Sequence, residues 1–369
     1  MEQKVRHVLG ISGGKDSAAL AIYMHRLYPH LDIEYYCCDT GKELDETYEL
    51  IDNLEIYLGK KITRLTIAEN SHLEQFDHAL QLAGGYLPSS QQRWCTQKLK
   101  LEPFERFVGT EPVISYVGIR GDEEREGYIS TKTNIQSIFP FRKNIWSEDV
   151  ISKVLSNSNI EELAKLYVAH VKDSNSQQAL DIAQRPLSMA YNRAQKLHEL
   201  LRIDTKLFNK VVFEYLQTTA YPLSVVPDFP LIDNDEVLVR DDIFAILRES
   251  GVGVPAYYNP IEFEINGKIG EYARSRSGCF FCFFQQNIEW VWLLEQHPDL
   301  YKQAMEYEKE GYSWKQGETL LQLSHPDRVA QIKEDYIIRE ERKKNKQKSE
   351  FLIDMLEEAE EEGCAACFI

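Results

Sequence analysis

A glycine-rich stretch close to the start of the chain contains residue types that bind anions. It reads G-I-S-G-G-K-D-S from Gly10 onward. Gly13 and Gly14 lack a Cβ atom, so their backbone N–H groups can approach a phosphate closely. Lys15 adds a positive charge, and a helix beginning here would point its positive N-terminal end at the same place. Because Asp16 stands where the common P-loop requires Ser or Thr, the stretch is a different kind of phosphate-binding loop, unless it is an ordinary turn between a strand and a helix.

The cysteines offer a second kind of chemistry. The seven are Cys37, Cys38, Cys95, Cys279, Cys282, Cys364 and Cys367. An odd number in a long chain of intracellular character argues against a disulfide framework. Two C-x-x-C pairs, at 279–282 and 364–367, instead indicate metal, cluster or sulfur chemistry. Cys37 and Cys38 fall within a strand pattern, where a free cysteine commonly packs as a small hydrophobe.

The elements that must position these residues alternate between strands and helices over residues 1–145. Short apolar runs such as H-V-L-G-I and D-I-E-Y-Y-C-C predict strands, and the amphipathic stretches after them predict helices. This alternation predicts an α/β fold with a parallel, doubly wound sheet that is covered by helices on both faces. In such sheets ligands bind at the carboxyl ends of the strands, where the glycine loop and Asp39 would lie.

Three further regions follow this nucleotide-binding region. Residues 146–224 show helical periodicity and predict a helical insertion. Residues 225–295 return to the first domain and carry the first C-x-x-C pair. Residues 296–369 predict a helical C-terminal region with a mobile, cysteine-bearing tail, E-E-E-G-C-A-A-C-F-I.

The bulk composition excludes some classes of protein. Of the 369 residues, 43% are hydrophobic, and no run of about 18 apolar residues predicts a membrane-spanning helix. The first residues, M-E-Q-K-V-R-H-V-L-G, do not resemble a secretion signal, so we expect a cytoplasmic protein with no membrane partner. The formal net charge of −17 argues against a protein that wraps nucleic acid by itself and favours one that works with protein partners or small molecules.

The stretch S-G-G-K-D-S resembles the signature of the PP-loop, or N-type, ATP pyrophosphatases. This resemblance implies an adenine nucleotide alpha hydrolase-like fold. It also implies cleavage of ATP between the α- and β-phosphates, with pyrophosphate as the leaving group and an adenylylated intermediate. Mg²⁺ is then expected to bridge phosphate oxygens. Carried over by position, the catalytic residues would be Lys15, Asp16 and Ser17. The loop residues that hold ATP would be Ser12, Gly13, Gly14, Lys15, Asp16 and Ser17.

Other stretches resemble the phosphoadenosine phosphosulfate (PAPS) reductase branch of that family. C-C-D-T-G-K-E-L-D-E-T resembles its D-T-G-x-x-x-x-E-T segment and adds Asp39 and Thr40 to the nucleotide site. V-G-I-R-G-D resembles a G-x-R segment and adds Arg120 as a phosphate contact. R-W-C-T-Q-K-L-K and R-S-G-C-F-F-C-F-F-Q resemble the segments that carry cluster ligands in this branch. The resemblance therefore implies a [4Fe–4S] cluster, with zinc or buried redox thiols as alternatives and the fourth ligand open. The implied metal ligands are Cys95, Cys279 and Cys282.

The combination of these motifs is most similar to the ATP pyrophosphatases of DNA phosphorothioate-modification systems of the Dnd and Ssp type. That similarity implies that ATP adenylylates a DNA phosphate. Sulfur from a cysteine desulfurase would then displace AMP, within a complex of modification subunits that serves antiphage defence. Cys364 and Cys367 would relay the sulfur, unless they are incidental cysteines in a disordered tail.

Three alternatives stay open. A sulfonucleotide reductase would share the fold, but the E-C-G-x-H tail of that group is absent. A tRNA thiolation enzyme would share the use of ATP and a cluster, but no basic RNA-binding domain is evident. A non-catalytic nucleotide-binding scaffold is disfavoured by the intact S-G-G-K-D-S.

Overall fold

A five-stranded parallel sheet forms the centre of the protein. The computed structural model describes residues 4–68, 71–123, 130, 132–309 and 311–345. The strands lie in the order β3-β2-β1-β4-β5, and every neighbouring pair is parallel. Their bounds are Arg6–Gly10 (β1), Ile33–Cys38 (β2), Ile62–Leu65 (β3), Val113–Tyr116 (β4) and Ile135–Ile138 (β5). The chain winds outward from β1 in both directions, which confirms the predicted doubly wound α/β fold.

Helices make up most of the rest of the described chain. Those that accompany the sheet are Lys15–Leu27 (α1), Asp45–Leu58 (α2), Gln75–Leu82 (α3), Trp94–Thr96 (α4) and Glu102–Val108 (α5), with a π-helical segment at Gln97–Leu101. The predicted insertion contains Glu148–Val154 (α6), Ile160–Val168 (α7), Ser174–Gln184 (α8), Arg193–Ile203 (α9) and Thr205–Leu216 (α10). The remainder are Arg240–Ser250 (α11), Asn287–Gln296 (α12), Pro298–Glu306 (α13), Leu320–Leu323 (α14) and Pro326–Asn345 (α15). None of these helices is long and apolar enough to cross a membrane.

Both faces of the sheet are covered, as the alternation of strand side chains requires. Leu9 and Tyr35 enter the large hydrophobic cluster that contains the buried residues of α1 and α2. Val8 and Tyr36 point the other way, and the Tyr36 ring stacks on Phe104 of α5 at 5.1 Å between ring centroids. The sheet therefore has the layered construction that places its strand ends, rather than its faces, at the surface.

The inserted helices α6 to α10 share one hydrophobic core with the sheet. Val150 and Phe208 belong to the same cluster as Phe141, which follows β5. The indole N–H of Trp146 donates to Asn209 Oδ1 at 2.9 Å, so the buried polar groups at this junction are paired. The insertion is thus packed on the sheet, and the domain boundaries drawn from the sequence stay a prediction.

An antiparallel hairpin and the last helices build a second, aromatic core. The hairpin strands are Ile261–Ile265 (β6) and Lys268–Tyr272 (β7). Phe281, which lies within the first C-x-x-C pair, stacks on Trp314 at 4.7 Å and contacts Phe76 of α3 at 4.6 Å between ring centroids. This core therefore fastens the cysteine pair to the region that carries the glycine loop.

Candidate active site at the carboxyl ends of the strands

The glycine loop joins β1 to α1 at the carboxyl end of the sheet. Helix α1 begins at Lys15, directly after Gly14. Gly13 has a φ of +72°, and a Cβ atom there would lie 2.2 Å from Thr47 Cγ2, so only glycine fits. A Cβ atom on Gly14 would lie 2.6 Å from Ser277 Oγ. The loop therefore has the strand-to-helix geometry in which backbone N–H groups and the helix dipole favour an anion.

Hydroxyl groups hold this loop from inside and from outside. Inside, Ser17 Oγ accepts a hydrogen bond from the backbone N–H of Ser12 at 3.1 Å. Outside, the Tyr257 hydroxyl donates to the Gly13 carbonyl at 3.2 Å, and Ser277 Oγ donates to the Ser12 carbonyl at 3.3 Å. The C-terminal half of the chain thus contributes directly to the shape of the loop.

Lys15 and Asp16 form a buried ion pair, and Arg120 completes it. Lys15 Nζ lies 2.9 Å from Asp16 Oδ2, and Arg120 Nη1 lies 2.7 Å from Asp16 Oδ1. Burial alone raises the pKa of Asp16, but the two cations outweigh it, so the pKa lies below its ordinary value. Burial lowers the pKa of Lys15, and Asp16 opposes that shift. Asp16 is therefore an ionised carboxylate held between two cations.

Arg120 lies just after β4, across the strand-order reversal from the glycine loop. This reversal between β1 and β4 is where doubly wound sheets bind their ligands. Besides Asp16, the Arg120 guanidinium contacts Asp122 at 2.9 Å and Glu123 at 3.1 Å. The chain can approach α1 here because residue 118 is glycine; a Cβ atom on Gly118 would lie 2.9 Å from the Asp16 carbonyl oxygen. Arg120 thus lies beside the glycine loop, where its guanidinium forms ion pairs with carboxylates.

Asp39 and Thr40 lie in the loop that directly follows β2, and β2 is the neighbour of the strand that leads into the glycine loop. Asp39 Oδ1 accepts hydrogen bonds from the Gly41 backbone N–H at 2.9 Å and from the Tyr48 hydroxyl at 3.1 Å. Thr40 Oγ1 donates to the Glu43 carboxylate at 2.8 Å. Burial raises the pKa of Glu43, and the Thr40 hydrogen bond opposes the shift. Both predicted side chains order this loop, and their contact with a nucleotide stays a prediction.

The first C-x-x-C pair forms a turn against the same loop. The backbone N–H of Phe280 donates to the Lys42 carbonyl at 2.9 Å, and the N–H of Cys282 donates to the Cys279 carbonyl at 3.1 Å. Cys279 Sγ lies 3.3 Å from Thr40 Oγ1. Burial raises the pKa of both thiols. The cysteine turn is therefore adjacent to the loop after β2, as a site that joins nucleotide and sulfur chemistry would require.

The predicted metal ligands are not assembled into a metal site in the described chain. Cys95 of α4 packs against the same aromatic core as Cys279. Within the described ranges, however, no three His, Cys, Asp or Glu side chains come together in a group that could hold a metal ion. This arrangement does not fit a closed cluster or zinc site, which takes four ligands. Cys37 is buried in β2, and Cys364 and Cys367 lie outside the described residues. The cluster and the sulfur relay stay predictions.

Sequence reasoning missed the tyrosines that border the glycine loop. The Lys15 backbone N–H donates to the Tyr258 hydroxyl at 3.3 Å, and Lys15 Nζ lies 5.2 Å from the centre of the Tyr258 ring. The adjacent Tyr257 holds the Gly13 carbonyl. Two consecutive tyrosines after a Gly-Val-Pro turn match no motif, so only the fold could reveal their role.

Comparison with known proteins relates the N-terminal part of the chain to one family. Residues 6–173 match the family model of the phosphoadenosine phosphosulfate reductase domain. Two uncharacterized proteins of Methanocaldococcus jannaschii are similar to the chain. One is 30% identical over 154 residues, which cover 38% of this chain and 30% of the relative. The other is 26% identical over 158 residues, which cover 40% of this chain and 36% of the relative.

The chain spans about a third of the length of these curated relatives. No solved structure matches it at comparable significance. The glycine loop, the loop after β2 and Arg120 all lie within residues 6–173, and this segment is a domain similar to that of the phosphoadenosine phosphosulfate reductases.

Proposed function

We propose that the chain is an ATP pyrophosphatase that adenylylates a phosphate oxygen in DNA so that sulfur can replace that oxygen. The buried network of Lys15, Asp16 and Arg120, set in a glycine loop at the start of α1, is the observation that carries the proposal. The similarity of residues 6–173 to PAPS reductase domains supports a nucleotide-using enzyme of sulfur chemistry in general. The cleavage of ATP and the choice of DNA go beyond that support.

The charges of the site would stabilise the negative charge of a departing pyrophosphate. The N-terminus of α1 and the Lys15 ammonium both favour negative charge. A polyphosphate would compete with Asp16 for Lys15, since the two side chains are now 2.9 Å apart. Arg120, at 2.7 Å from Asp16, would keep the released carboxylate paired. When a nucleotide binds, Lys15 would therefore pair with phosphate while Asp16 stays paired with Arg120. This avoids leaving a buried charge without a partner, which would be strongly unfavourable.

The cofactors that this proposal requires are ATP and Mg²⁺. Mg²⁺ commonly keeps several waters and binds through phosphates with one or two carboxylates, so it needs no metal cage made by the chain. Asp16 would be the loop carboxylate that contacts the ion. When bound, Mg²⁺ would neutralise part of the charge on the departing pyrophosphate.

DNA as the acceptor requires basic partners. The chain has a formal net charge of −17, which argues against a protein that holds DNA by itself. Arg274 is buried, and the Lys98 ammonium pairs with Glu102 at 2.7 Å. We therefore expect other modification subunits to supply the phosphate contacts that hold DNA, and a cysteine desulfurase to supply the sulfur.

A sulfonucleotide reductase is the second candidate, because the matching family model is that of the PAPS reductase domain. Such an enzyme would reduce PAPS without cleaving ATP. Release of sulfite from PAPS in the presence of a dithiol reductant would favour it.

Release of pyrophosphate from ATP tests the first proposal. Full-length protein with Mg²⁺, ATP and duplex DNA should produce pyrophosphate, and Lys15→Ala should slow the reaction on the order of a hundredfold, because a charge that stabilises the leaving group is lost. Lys60→Ala is the matched control, since Lys60 is a lysine of the sheet region that pairs with Asp32 at 2.8 Å, away from the loop. Orthophosphate as the sole product, or an unchanged rate in Lys15→Ala, contradicts the proposal.

A further inference from the structure

Arg274 is a buried cation without a described counter-ion. The residue is 2% exposed, and none of the described carboxylates forms an ion pair with it. Its Nη2 donates to the Cys279 carbonyl at 3.3 Å, but Nε and Nη1 have no hydrogen-bond partner among the described residues. A guanidinium stays protonated in proteins, and buried charges are normally paired. Two of the three guanidinium nitrogens therefore have no acceptor among the described residues.

The surroundings of the guanidinium add another unpaired donor. Arg274 Cζ lies 6.0 Å from the centre of the Tyr257 ring and 5.9 Å from that of Trp292. The indole Nε1 of Trp292 is also buried without a partner in the described ranges. Unpaired buried donors are rare in folded proteins, and several in one place indicate a missing acceptor. Because the guanidinium carries a positive charge, an anion is the acceptor that would satisfy it best.

Arg274 is linked by hydrogen bonds to both halves of the candidate active site. The Arg274 backbone N–H donates to the Tyr257 carbonyl at 2.9 Å, and the Tyr257 hydroxyl donates to the Gly13 carbonyl at 3.2 Å. The same arginine reaches the cysteine turn through the Cys279 carbonyl. Lys15, by contrast, is already neutralised by its neighbouring carboxylate. Arg274, in contrast to Lys15, has no carboxylate partner among the described residues.

We propose that Arg274 binds a tetrahedral oxyanion, a phosphate or sulfate group of the second reactant, between the glycine loop and the cysteine turn. The inference rests on the proposed function, which places the nucleotide at the glycine loop, and it assigns the group that receives the other reactant. Oxygens of phosphate and sulfate are strong acceptors for guanidinium N–H groups. An anion held here would lie beside the Cys279 and Cys282 turn.

Inorganic sulfate tests the proposal with the full-length protein. Binding to the folded state raises the melting temperature, so sulfate should stabilise the wild type in a dose-dependent manner at constant ionic strength. Arg274→Met should weaken the apparent sulfate affinity roughly tenfold to a hundredfold, because charge-assisted hydrogen bonds are lost. Arg93→Met is the matched control, since Arg93 is an exposed arginine over the Phe284 ring, and it should respond like the wild type.

A second comparison separates this site from the nucleotide site. Lys15→Ala should retain the sulfate response, even though it slows pyrophosphate release. A wild-type sulfate response in Arg274→Met, or a response lost in Lys15→Ala alone, would overturn the proposal. Should Arg274→Met fail to fold, wild-type crystals soaked in selenate give the answer. A selenium peak within hydrogen-bond distance of the guanidinium supports the assignment, and selenate bound only elsewhere refutes it.

Discussion

Replacing Arg120 by methionine would test whether Lys15 is free to change partners. The side chains of Arg120 and Asp16 are 11% and 8% exposed, so water screens their 2.7 Å contact little. Removing one partner of a buried ion pair costs about 3–5 kcal/mol of folding free energy. Lys15 remains 2.9 Å from Asp16 and retains part of the stabilisation. We therefore expect Arg120→Met to lose about 3 kcal/mol, the lower end of that range.

The same replacement should weaken nucleotide binding. Without Arg120, a phosphate that takes Lys15 leaves the Asp16 carboxylate buried and unpaired. If that cost falls on binding, the affinity for a non-hydrolysable ATP analogue should drop on the order of a hundredfold. Arg120→Lys keeps the charge but not the planar fork, so its affinity should be intermediate.

Urea unfolding and calorimetric titration measure the two effects. The pKa of Asp16 is lowered in the folded protein, so its contribution to stability is present above the ordinary carboxyl pKa and is lost as the pH falls through the lowered value. The stability gap between wild type and Arg120→Met should therefore shrink in acid. Adding Asp16→Asn to Arg120→Met should cost less than the sum of the two single changes, because the contact between Arg120 and Asp16 can be lost only once. A wild-type urea midpoint for Arg120→Met, or simple additivity of the two changes, refutes the reasoning.

Two further predictions concern the loop and the tail. Gly13→Ala should abolish pyrophosphate release and destabilise the fold, because φ is +72° and the new Cβ would lie 2.2 Å from Thr47 Cγ2. Gly59→Ala, with φ of +60° and open space around it, should cost only roughly 1–2 kcal/mol; equal losses in thermal unfolding would contradict the packing argument. Removing the segment that carries Cys364 and Cys367 should leave pyrophosphate release unchanged but reduce sulfur incorporation into DNA, measured by mass spectrometry of digested DNA. Unchanged incorporation would exclude a relay through these cysteines.

The nucleotide half of the site could be predicted because its determinants are local. The apolar run of β1, the two glycines and the amphipathic α1 follow one another without interruption, so periodicity and residue type locate the loop. Arg120 could be named because V-G-I-R-G-D resembles a G-x-R segment that follows a strand in the PAPS reductase branch. The structure confirms the strand–loop–helix order, and it adds a contact between Arg120 and Asp16 that the sequence did not predict.

The other half depends on contacts that no local pattern encodes. Tyr257 and Ser277 reach carbonyls of residues more than 240 positions earlier in the chain. Strand β5 escaped prediction because its four residues, I-Q-S-I, include two buried polar side chains. The β6–β7 hairpin did carry a signal. Asn266 and Gly267 both have positive φ, and Asn-Gly between alternating residues is typical of a tight hairpin turn.

The hydroxyls of Tyr257 and Ser277 also bear on how small a working version of this protein can be made. A fragment cut at residue 173, where the family match ends, would keep every letter of the glycine motif. It would nevertheless lack both outside supports of the loop, together with the aromatic packing that brings them there. The shortest fragment that binds a nucleotide should therefore extend through the hairpin and the cysteine turn. Substitutions that loosen the aromatic core should lower the affinity for the nucleotide, although they lie outside the glycine loop.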